Sequence, residues 1–323
     1  MAVEEGNAVF DSRDNCNAII NSRTNTLSFG CKNTVIPNTV KAIAPRSFFG
    51  CSGLTSITFP NSLEEIGSHA FYHCIGLTSA TIPSSVKTIG EKNPFAYCTN
   101  LASISVDKEN PSFDTRDNCN AVINTSTNEL IIATRNSFIP STVTSIGQGA
   151  FYYFSNYSFI SIPQSVTTIK QSAFVGCSGL KEIDIPTSVT EIGVWAFQGC
   201  SRLINITIPD NVKTIGSLAF SVCGNPSFIT IGKEVKDIGN RAFWLTKTST
   251  ITSLILAPIG INDDVFDVYD TATLYVPTNT RNVYQSTDGW KKFANIVELE
   301  DTGSIGQAGG KEPYAVLTQL LQE

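Results

Sequence analysis

A period of 23 residues runs through most of this 323-residue chain and restricts its fold more than any other feature. Residues 50–71 and 176–197 share a Gly-Cys-Ser-x-Leu start, an Ile-x-Ile/Phe-Pro centre and an Ala-Phe end. The proline of this motif returns every 23 residues within two series, Pro37, Pro60 and Pro83, then Pro140, Pro163, Pro186 and Pro209. Such a period is typical of solenoids, in which each repeat forms one coil and buries its apolar edges against its neighbours.

One repeat predicts one coil with two extended pieces and a turn. In residues 54–60, apolar residues separated by Thr and Ser favour a short strand, and Pro60 ends it. Leu63 and Ile66 are expected to point inward from a second extended piece, and the Ala-Phe segment that follows predicts one helical or 3-10 turn. Stacked strands then lie parallel, about 4.8 Å apart. We therefore predict a β-rich repeat solenoid of ten to eleven coils.

An insertion breaks the period between Pro83 and Pro140, which are 57 residues apart. Residues 113–130 of the insertion match residues 10–27 at thirteen of eighteen positions, and each copy predicts a hairpin. Because the first copy lacks a full coil before it, we expect Met1 to mark a truncation. The predicted organisation is an N-terminal cap with a hairpin insertion at 1–27, repeats at 28–270 with a second hairpin insertion at about 107–133, a C-terminal cap at 271–300, and a linker with a short amphipathic tail at 301–323.

Composition and charge exclude several classes of partner. Charged residues make up 15% of the chain, against roughly 25% in ordinary soluble proteins. The net charge is −6 and no basic stripe occurs, which argues against nucleic acid as a partner. No apolar run reaches the roughly 18 residues of a membrane-spanning helix. The surface is expected to be neutral and rich in hydroxyl groups.

Candidate metal and catalytic groups are sparse. Six of the nine cysteines follow the repeated Phe by three residues, which predicts a buried row of thiols, and no Cys-x-x-Cys pair occurs. His69 and His73 have a spacing that suits zinc on a helix face, but we favour solvent-exposed turn residues. The Asp and Asn residues at 11–15 and 114–118 suit either calcium or hydrogen-bonded turns, and we favour turns. We predict no metal, no cofactor and no enzymatic activity.

The repeat closely resembles the BspA-like leucine-rich repeat family. The resemblance rests on the Cys-x-x-Leu-x-x-Ile-x-Ile-Pro-x-Ser-Val-x-x-Ile-Gly-x-x-Ala-Phe unit at 177–197 and 200–220, and it covers roughly residues 28–299. It implies a right-handed, leucine-rich-repeat-like coil, export to the cell surface and, for some members, adhesion to proteins of the host extracellular matrix or to other cells. The chain contains no signal peptide, so export is expected with the signal removed.

The outward positions of the main strand are the predicted binding surface, because exposed aromatic rings among short polar groups are suitable anchors for a protein or glycan. A plain hydroxyl-rich strand surface without a ligand is the alternative. The candidate binding residues are Phe138, Phe159, Lys181, Glu182, Asp184, Phe228 and Tyr275. The first hypothesis is a non-enzymatic recognition or adhesion protein. The others are a structural spacer or self-association module and, less favoured, a glycan-acting enzyme using Glu182 with Asp184.

Overall fold

The computed structural model describes residues 2–300, which form a solenoid of about eleven coils with about 23 residues in each. The predicted tail at 301–323 lies outside the described residues. The strands are β1 (Phe10–Asp11), β2 (Ile19–Asn21), β3 (Thr26–Phe29), β4 (Ala42–Ile43), β5 (Glu65–Ile66), β6 (Ser79–Ile82), β7 (Thr88–Ile89), β8 (Ser103–Val106), β9 (Phe113–Asp114), β10 (Val122–Asn124), β11 (Glu129–Ile132), β12 (Ser145–Ile146), β13 (Phe159–Ser161), β14 (Thr168–Ile169), β15 (Glu182–Asp184), β16 (Glu191–Ile192), β17 (Ile206–Ile208), β18 (Thr214–Ile215), β19 (Ile229–Ile231), β20 (Asp237–Ile238), β21 (Thr250–Ser253), β22 (Thr273–Val276) and β23 (Asn295–Glu298).

Helices are short within the described residues. There is one α-helix, α1 (Arg281–Ser286), and there are three 3-10 helices, η1 (Arg13–Asn15), η2 (Arg116–Asn118) and η3 (Trp290–Lys292). No helix in residues 2–300 is long and apolar enough to span a bilayer.

Two sides of each coil are parallel β-structure, as the repeat predicts. On the short-strand side, the sheets run β1-β2-β3-β4-β5-β7 and β20-β18-β16-β14-β12-β11-β10-β9, and their pairs are parallel except within the two hairpins, β1-β2-β3 and β9-β10-β11, which are antiparallel. On the strand face, which bears the Ile-x-Ile-Pro segments, the sheets are β6-β8, β13-β15 and β17-β19-β21-β22-β23. The register shifts by one repeat per step, as in Ile169↔Ile192 and Ile160↔Ile183. Equivalent residues therefore stack in columns, and the parallel arrangement predicted from the period is confirmed.

In two of the three Pro-x-Ser-Val segments the serine links adjacent coils, whereas the Ser85 hydroxyl has no hydrogen-bond partner within residues 2–300. Ser188 Oγ donates to the carbonyl oxygen of Val166 at 2.6 Å, and Ser165 Oγ donates to that of Val143 at 2.7 Å. A buried carbonyl group needs a donor. The hydroxyl group supplies one where the proline has just ended the ladder, which explains why this serine recurs.

The third side, the turn side, consists of non-helical turns, which differs from the helical or 3-10 turn predicted for the Ala-Phe segment. Two residues in most of these turns have left-handed backbone, for example Trp195 (φ 59°) and Gly199 (φ 75°). Because these conformations interrupt a helix, the backbone instead bonds between coils, as from Phe197 N–H to the carbonyl oxygen of Ala219 at 2.8 Å. The repeated phenylalanines stack inside this side, with ring centroids 4.9 Å apart for Phe197 and Phe220.

The second hairpin divides the core into two clusters. Val122 and Ile132 pack into the cluster that contains the N-terminal coils, whereas Ile123 and Leu130 pack into the cluster that contains the C-terminal coils. Neighbouring strand residues such as Val122 and Ile123 point to opposite faces of a sheet, and the register irregularity between them pairs Val122 with Ile132 and Ile123 with Leu130. The hairpin is therefore a layer stacked between coils, and each of its faces closes one core.

The cysteine row is buried as predicted. Cys74, Cys98, Cys177, Cys200 and Cys223 are buried, whereas Cys51 is half-buried, and all of them are unpaired. Each of the five buried thiols donates to the carbonyl oxygen of a phenylalanine in the preceding coil, at 3.1–3.3 Å. Burial raises the pKa of the Cys74 and Cys177 thiols to about 12. These thiols are therefore protonated at neutral pH and are poor nucleophiles.

The C-terminal end is closed by aromatic side chains. Tyr284 of α1 and Trp290 of η3 are fully buried. The Tyr284 hydroxyl donates to the carbonyl oxygen of Ile255 at 2.8 Å, and Trp290 Nε1 donates to that of Ile259 at 2.8 Å. These bonds satisfy the polar atoms of two large side chains that replace a further coil.

Candidate binding surfaces

The structure places the seven predicted binding residues at the surface or near it, without bringing them into one site. Phe138 and Phe159 are exposed, at 51% and 52% of their surface, and Phe228 and Tyr275 are half-buried. Phe159 and Phe228 occupy equivalent positions three coils apart, a separation of roughly 14 Å. Phe138 and Tyr275 stand in a different column.

The three charged candidates lie on β15 or beside it. Glu182 is directly paired with Phe159, and Asp184 is paired with Ser161. Lys181, Glu182 and Asp184 are all exposed. These exposed charged groups form a polar margin beside Phe159. Because solvent screens them, Glu182 and Asp184 do not form an enclosed acid pair.

A larger aromatic surface lies on the turn side, where the sequence did not lead us to predict binding. Residues one and two positions after the repeated phenylalanine are aromatic in several successive coils, and their side chains leave the core. Together with His69 they form a surface that we call the aromatic strip. It consists of Phe49, His69, Tyr72, His73, Tyr97, Tyr152 and Tyr153.

The rings of the aromatic strip are in continuous contact. Ring centroids are 5.1 Å apart for Phe49 and Tyr72, 6.0 Å for Tyr72 and Tyr97, and 4.3 Å for Tyr97 and Tyr153. Phe49 is 57% exposed and Tyr153 is 37% exposed, and the remaining members are half-buried. The strip therefore presents ring edges and faces to solvent while each ring is supported by its neighbours.

The aromatic strip crosses the insertion because the turn side stays continuous there. Tyr97 N–H donates to the carbonyl oxygen of Tyr152 at 3.4 Å, and Asn93 Nδ2 donates to that of Gly149 at 3.0 Å. On the short-strand side, by contrast, β9, β10 and β11 follow β7 before the regular ladder resumes. Asn93 and Gly149, which are 56 residues apart in sequence, thus become direct neighbours on the turn side.

Two cations, Lys92 and Arg46, lie near His69 of the strip. Burial, together with the nearby charges of Lys92 and Arg46, lowers the pKa of His69. Burial raises the pKa of Tyr152 above its usual range, so its phenol stays protonated. Phenol and imidazole groups can donate and accept hydrogen bonds at the rim of apolar ring faces. Such a surface suits a ligand with both apolar and polar groups.

The structure gives another role to the histidines considered for zinc. His69 and His73 have left-handed backbone and lie on a turn, and their rings contact Tyr72 and Tyr97 at 5.2 and 4.6 Å. Within residues 2–300, no group of three or more His, Cys, Asp or Glu side chains is arranged to hold a metal ion.

Two of the four acidic residues considered for calcium, Asp11 and Asp114, pair with arginine. Asp11 accepts from Arg13, which lowers the pKa of Asp11, and Asp114 accepts in the same way from Arg116 at 2.8 Å. Both arginines also donate to the asparagine that immediately precedes the return strand, Arg13 to Asn25 and Arg116 to Asn128. These contacts fix each hairpin.

One cleft of about 470 Å³ lies between β7 and the second hairpin. Its lining includes Lys87 and Lys170, which pair with Glu64 at 2.8 Å and with Glu129 at 2.6 Å. Since these charges already have partners at the surface, the cleft offers a weaker candidate site than the aromatic strip.

Comparison with known proteins adds a family and a set of similar folds. The family described as BspA type leucine rich repeat region matches residues 19–124 and 123–250, with six copies. Comparison with curated proteins gives no match.

Among solved structures, the pneumococcal vaccine antigen PcpA is similar with a TM-score of 0.65 and 22% identity, over 81% of this chain and 72% of that one. A leucine-rich cell surface protein from Faecalibacterium prausnitzii A2-165 has a TM-score of 0.53 and 24% identity, over 84% of this chain and 60% of that one. A leucine-rich repeat protein from Eubacterium ventriosum ATCC 27560 has a TM-score of 0.50 and 24% identity, over 65% of this chain and 69% of that one.

Proposed function

Since the chain belongs to the BspA-type leucine-rich repeat family, we propose that it is a non-enzymatic recognition protein whose principal binding surface is the aromatic strip. The observation that carries this proposal is the contact of seven aromatic rings across four coils on a stacked scaffold. Exposed aromatic residues held in a fixed arrangement lose little conformational entropy on binding, and they commonly provide the strongest contacts of an interface.

The ligand class follows from the chemistry of the strip. Ring faces bind apolar surfaces, including the C–H faces of sugars, while phenol and imidazole groups bind hydroxyl or carbonyl groups. Arg46 and Lys92 add positive charge beside His69. We therefore propose a protein or glycan ligand, with proteins of the host extracellular matrix as the first to test, and an extracellular or cell-surface location.

The strand face remains a second candidate surface. The support for it is the column that contains Phe159 and Phe228, with Glu182 between them. Its aromatic rings stand three coils apart and share no contact in the described structure, so the column offers isolated anchors. The aromatic strip offers a larger continuous apolar area, and we expect it to contribute more to affinity.

Substitution of strip residues tests the assignment. We would measure binding of the purified chain to matrix glycoproteins and to a glycan array, and compare it with Tyr97→Asn and Tyr153→Asn. Asparagine is chosen because it tolerates the left-handed backbone of these positions. Loss of one anchoring ring is expected to weaken binding at least about tenfold.

The chain contains a matched control. Leu245 occupies the same turn position, with φ 54° and 47% of its surface exposed, but lies outside the aromatic strip. Leu245→Asn is expected to leave binding unchanged. If binding survives both tyrosine substitutions and is lost on Phe159→Ser or Phe228→Ser, the strand face is the binding surface and the assignment to the strip is wrong.

A further inference from the structure

The ladder of short strands has a gap beside β7. One edge of β7 pairs with β5, and within residues 2–300 no strand pairs with its other edge. The next short-strand sheet starts with β9 of the second hairpin, and the cleft of about 470 Å³ lies between this hairpin and β7. In the regular coils the corresponding edge is covered by the next coil, as β18 covers β16. The cleft therefore occupies the place of a strand of the ladder.

Main-chain groups of β7 point into this cleft. Thr88 N–H donates to the carbonyl oxygen of Glu64 on the β5 side, at 3.2 Å. Because successive residues of a strand direct their main-chain groups to opposite edges, the N–H and C=O groups of Ile89 point to the other edge. In the preceding coil the equivalent carbonyl oxygen, that of Ile66, accepts from Gly90 N–H at 2.8 Å. Ile89 thus carries a donor and an acceptor in the orientation that a further strand requires.

The side chain of Ile89 is also incompletely covered. At the equivalent position of the other regular short strands, every isoleucine is buried: Ile43, Ile66, Ile146, Ile169, Ile192, Ile215 and Ile238. Ile89 is only half-buried, and so is Ile131 of the hairpin, which also lines the cleft. Both pack against the N-terminal core cluster. They form an apolar floor that one further apolar side chain would cover.

Amide side chains line the hairpin side of the cleft. Asn124 and Gln148 are both half-buried there. Asn124 Oδ1 accepts from the N–H groups of Ser126 and Thr127 at 3.0 and 3.1 Å, which leaves the two donors of its Nδ2 group for other partners. Amide groups can bond to the carbonyl and N–H groups of a main chain. An inserted strand would therefore find partners on both of its edges.

The charged groups of the cleft balance one another. The lining includes Lys87 and Lys170 with Glu91 and Glu129, two residues of each sign. Such a lining gives little net attraction to a strongly charged ligand. The recognition groups that the cleft offers are an unpaired strand edge, amide groups and an apolar floor, and an extended peptide is the complement to all three.

We propose that this cleft binds an extended peptide segment of a partner protein, which pairs with β7 and places one apolar side chain against Ile89 and Ile131. The segment runs parallel to β7, as the neighbouring coils do in the pairs β4-β5 and β5-β7. A cleft of about 470 Å³ is within the usual range of ligand pockets, and it admits a segment of a few residues. This site is separate from the aromatic strip and does not depend on its proposed function.

The probe is a peptide with the sequence of residues 186–193 and blocked termini. In the array this segment covers β14, where Thr190 N–H donates to the carbonyl oxygen of Thr167 at 2.9 Å and Gly193 N–H donates to that of Ile169 at 2.8 Å. Fluorescence anisotropy measures its binding to the full chain. The control peptide is methylated at these two nitrogen atoms, so it keeps every side chain and loses both donors.

We expect the methylated peptide to bind at least about tenfold more weakly, because two main-chain hydrogen bonds are lost. Equal affinities of the two peptides would show that main-chain pairing is not the mode of binding, and they overturn the proposal. Failure of the unmodified peptide to bind overturns it as well.

Hydrogen exchange locates the bound peptide. Saturation with the peptide should slow the exchange of Ile89 N–H at least about tenfold. The reference is Ile215 N–H, whose strand β18 is already paired on both edges, and its exchange should not change. Binding without protection of Ile89 would place the peptide elsewhere and overturn the proposal.

Substitution within the cleft gives a second test of its location. Thr88 is exposed and lines the cleft, so Thr88→Trp narrows the cleft with a residue that suits a strand. Thr214→Trp places the same ring at the equivalent position of β18, whose edges are both covered. We expect Thr88→Trp to weaken peptide binding at least about tenfold and Thr214→Trp to leave it unchanged. Thermal unfolding checks that both variants are folded, and equal affinities of the two folded variants overturn the proposal.

Two further outcomes distinguish this site from other assignments. Tyr97→Asn, which tests the aromatic strip, should leave peptide binding unchanged, and a loss of binding would place the peptide on the strip and overturn the proposal. A glycan whose binding Thr88→Trp abolishes, together with a peptide that does not bind, would assign the cleft to a saccharide and likewise overturn it.

Discussion

The hydroxyl of Thr246 donates a hydrogen bond of 2.6 Å to the carbonyl oxygen of Phe220 in the preceding coil. In earlier coils a cysteine thiol makes this contact, as Cys223 does to Phe197 at 3.2 Å. Thr246 also accepts from the N–H of Cys223 at 3.1 Å. The buried carbonyl group therefore favours a small residue with a donor at this position in most coils, although the buried Phe154 occupies it in one coil.

Removal of the Thr246 hydroxyl is expected to destabilise the solenoid more than its replacement by a thiol. Thr246→Val keeps the shape and leaves two buried backbone groups unpaired, at a cost of about 1–3 kcal/mol. Thr246→Cys restores a donor and is expected to cost less. Urea unfolding of both variants measures the difference, and equal losses would show that the hydrogen bond contributes nothing.

Alkaline pH is expected to weaken the fold through the buried thiols. The pKa of Cys177 is raised to about 12 in the folded chain, whereas an unfolded thiol ionises near about 8.5. Between these two values the unfolded chain releases a proton that the folded chain keeps. The free energy of unfolding therefore falls as pH rises, by up to about 1.4 kcal/mol per pH unit for each such thiol.

Urea unfolding at pH 7, 9 and 10 measures this slope, and Cys177→Thr is the control. The variant keeps a donor at the position but has no group that ionises in this range. Its stability should fall less steeply above pH 9 than that of the parent. The same slope in both proteins would assign the alkaline effect to other groups.

Gly176→Ala is expected to destabilise the fold and to disturb the aromatic strip. Gly176 has φ 69°, and a Cβ atom there would lie 2.7 Å from the ring of Tyr153. Gly50 has φ 72° with open space around its Cβ position, so Gly50→Ala adds backbone strain without the clash. The larger loss of stability in Gly176→Ala, measured by thermal unfolding, isolates the contact with Tyr153.

Shortening the internal phenylalanine stack is expected to have a large effect. The Phe197 ring is fully buried and lies 5.1 Å from Phe174 and 4.9 Å from Phe220. Phe197→Ala should cost about 3–5 kcal/mol, because the coils cannot close the cavity without losing their register. Phe159→Ala, at an exposed position, should change stability by less than about 0.5 kcal/mol. Urea unfolding compares the two.

The core of the fold could be predicted from the sequence because it follows from period and polarity. Ile169 and Ile192 recur at one spacing, and a residue that repeats with the coil must stack on its own copy. The conformation of the turn could not be predicted. Trp195 and His69 are unusual residues for left-handed backbone, and contacts between coils hold them there.

The aromatic strip was missed for the same reason. Tyr72, Tyr97 and Tyr153 follow the repeated phenylalanines in the sequence, so the signal was present. Whether these rings turn inward or outward depends on the backbone of the turn, and the approach of Tyr97 to Tyr153 depends on how residues 107–133 fold away from the turn side. Neither follows from composition or spacing.

The hydrogen bonds between coils, such as that from Gly193 N–H to the carbonyl oxygen of Ile169, point along the stacking direction. Tension between the two ends of the solenoid therefore acts along these hydrogen bonds. It loads the few bonds of one coil at a time, so coils peel off one after another and do not slide past each other in shear. Each detached coil releases 23 residues, roughly 80 Å of extended chain. A molecule stretched in this way would lengthen stepwise and absorb mechanical work, and single-molecule force spectroscopy would record a sawtooth of that spacing.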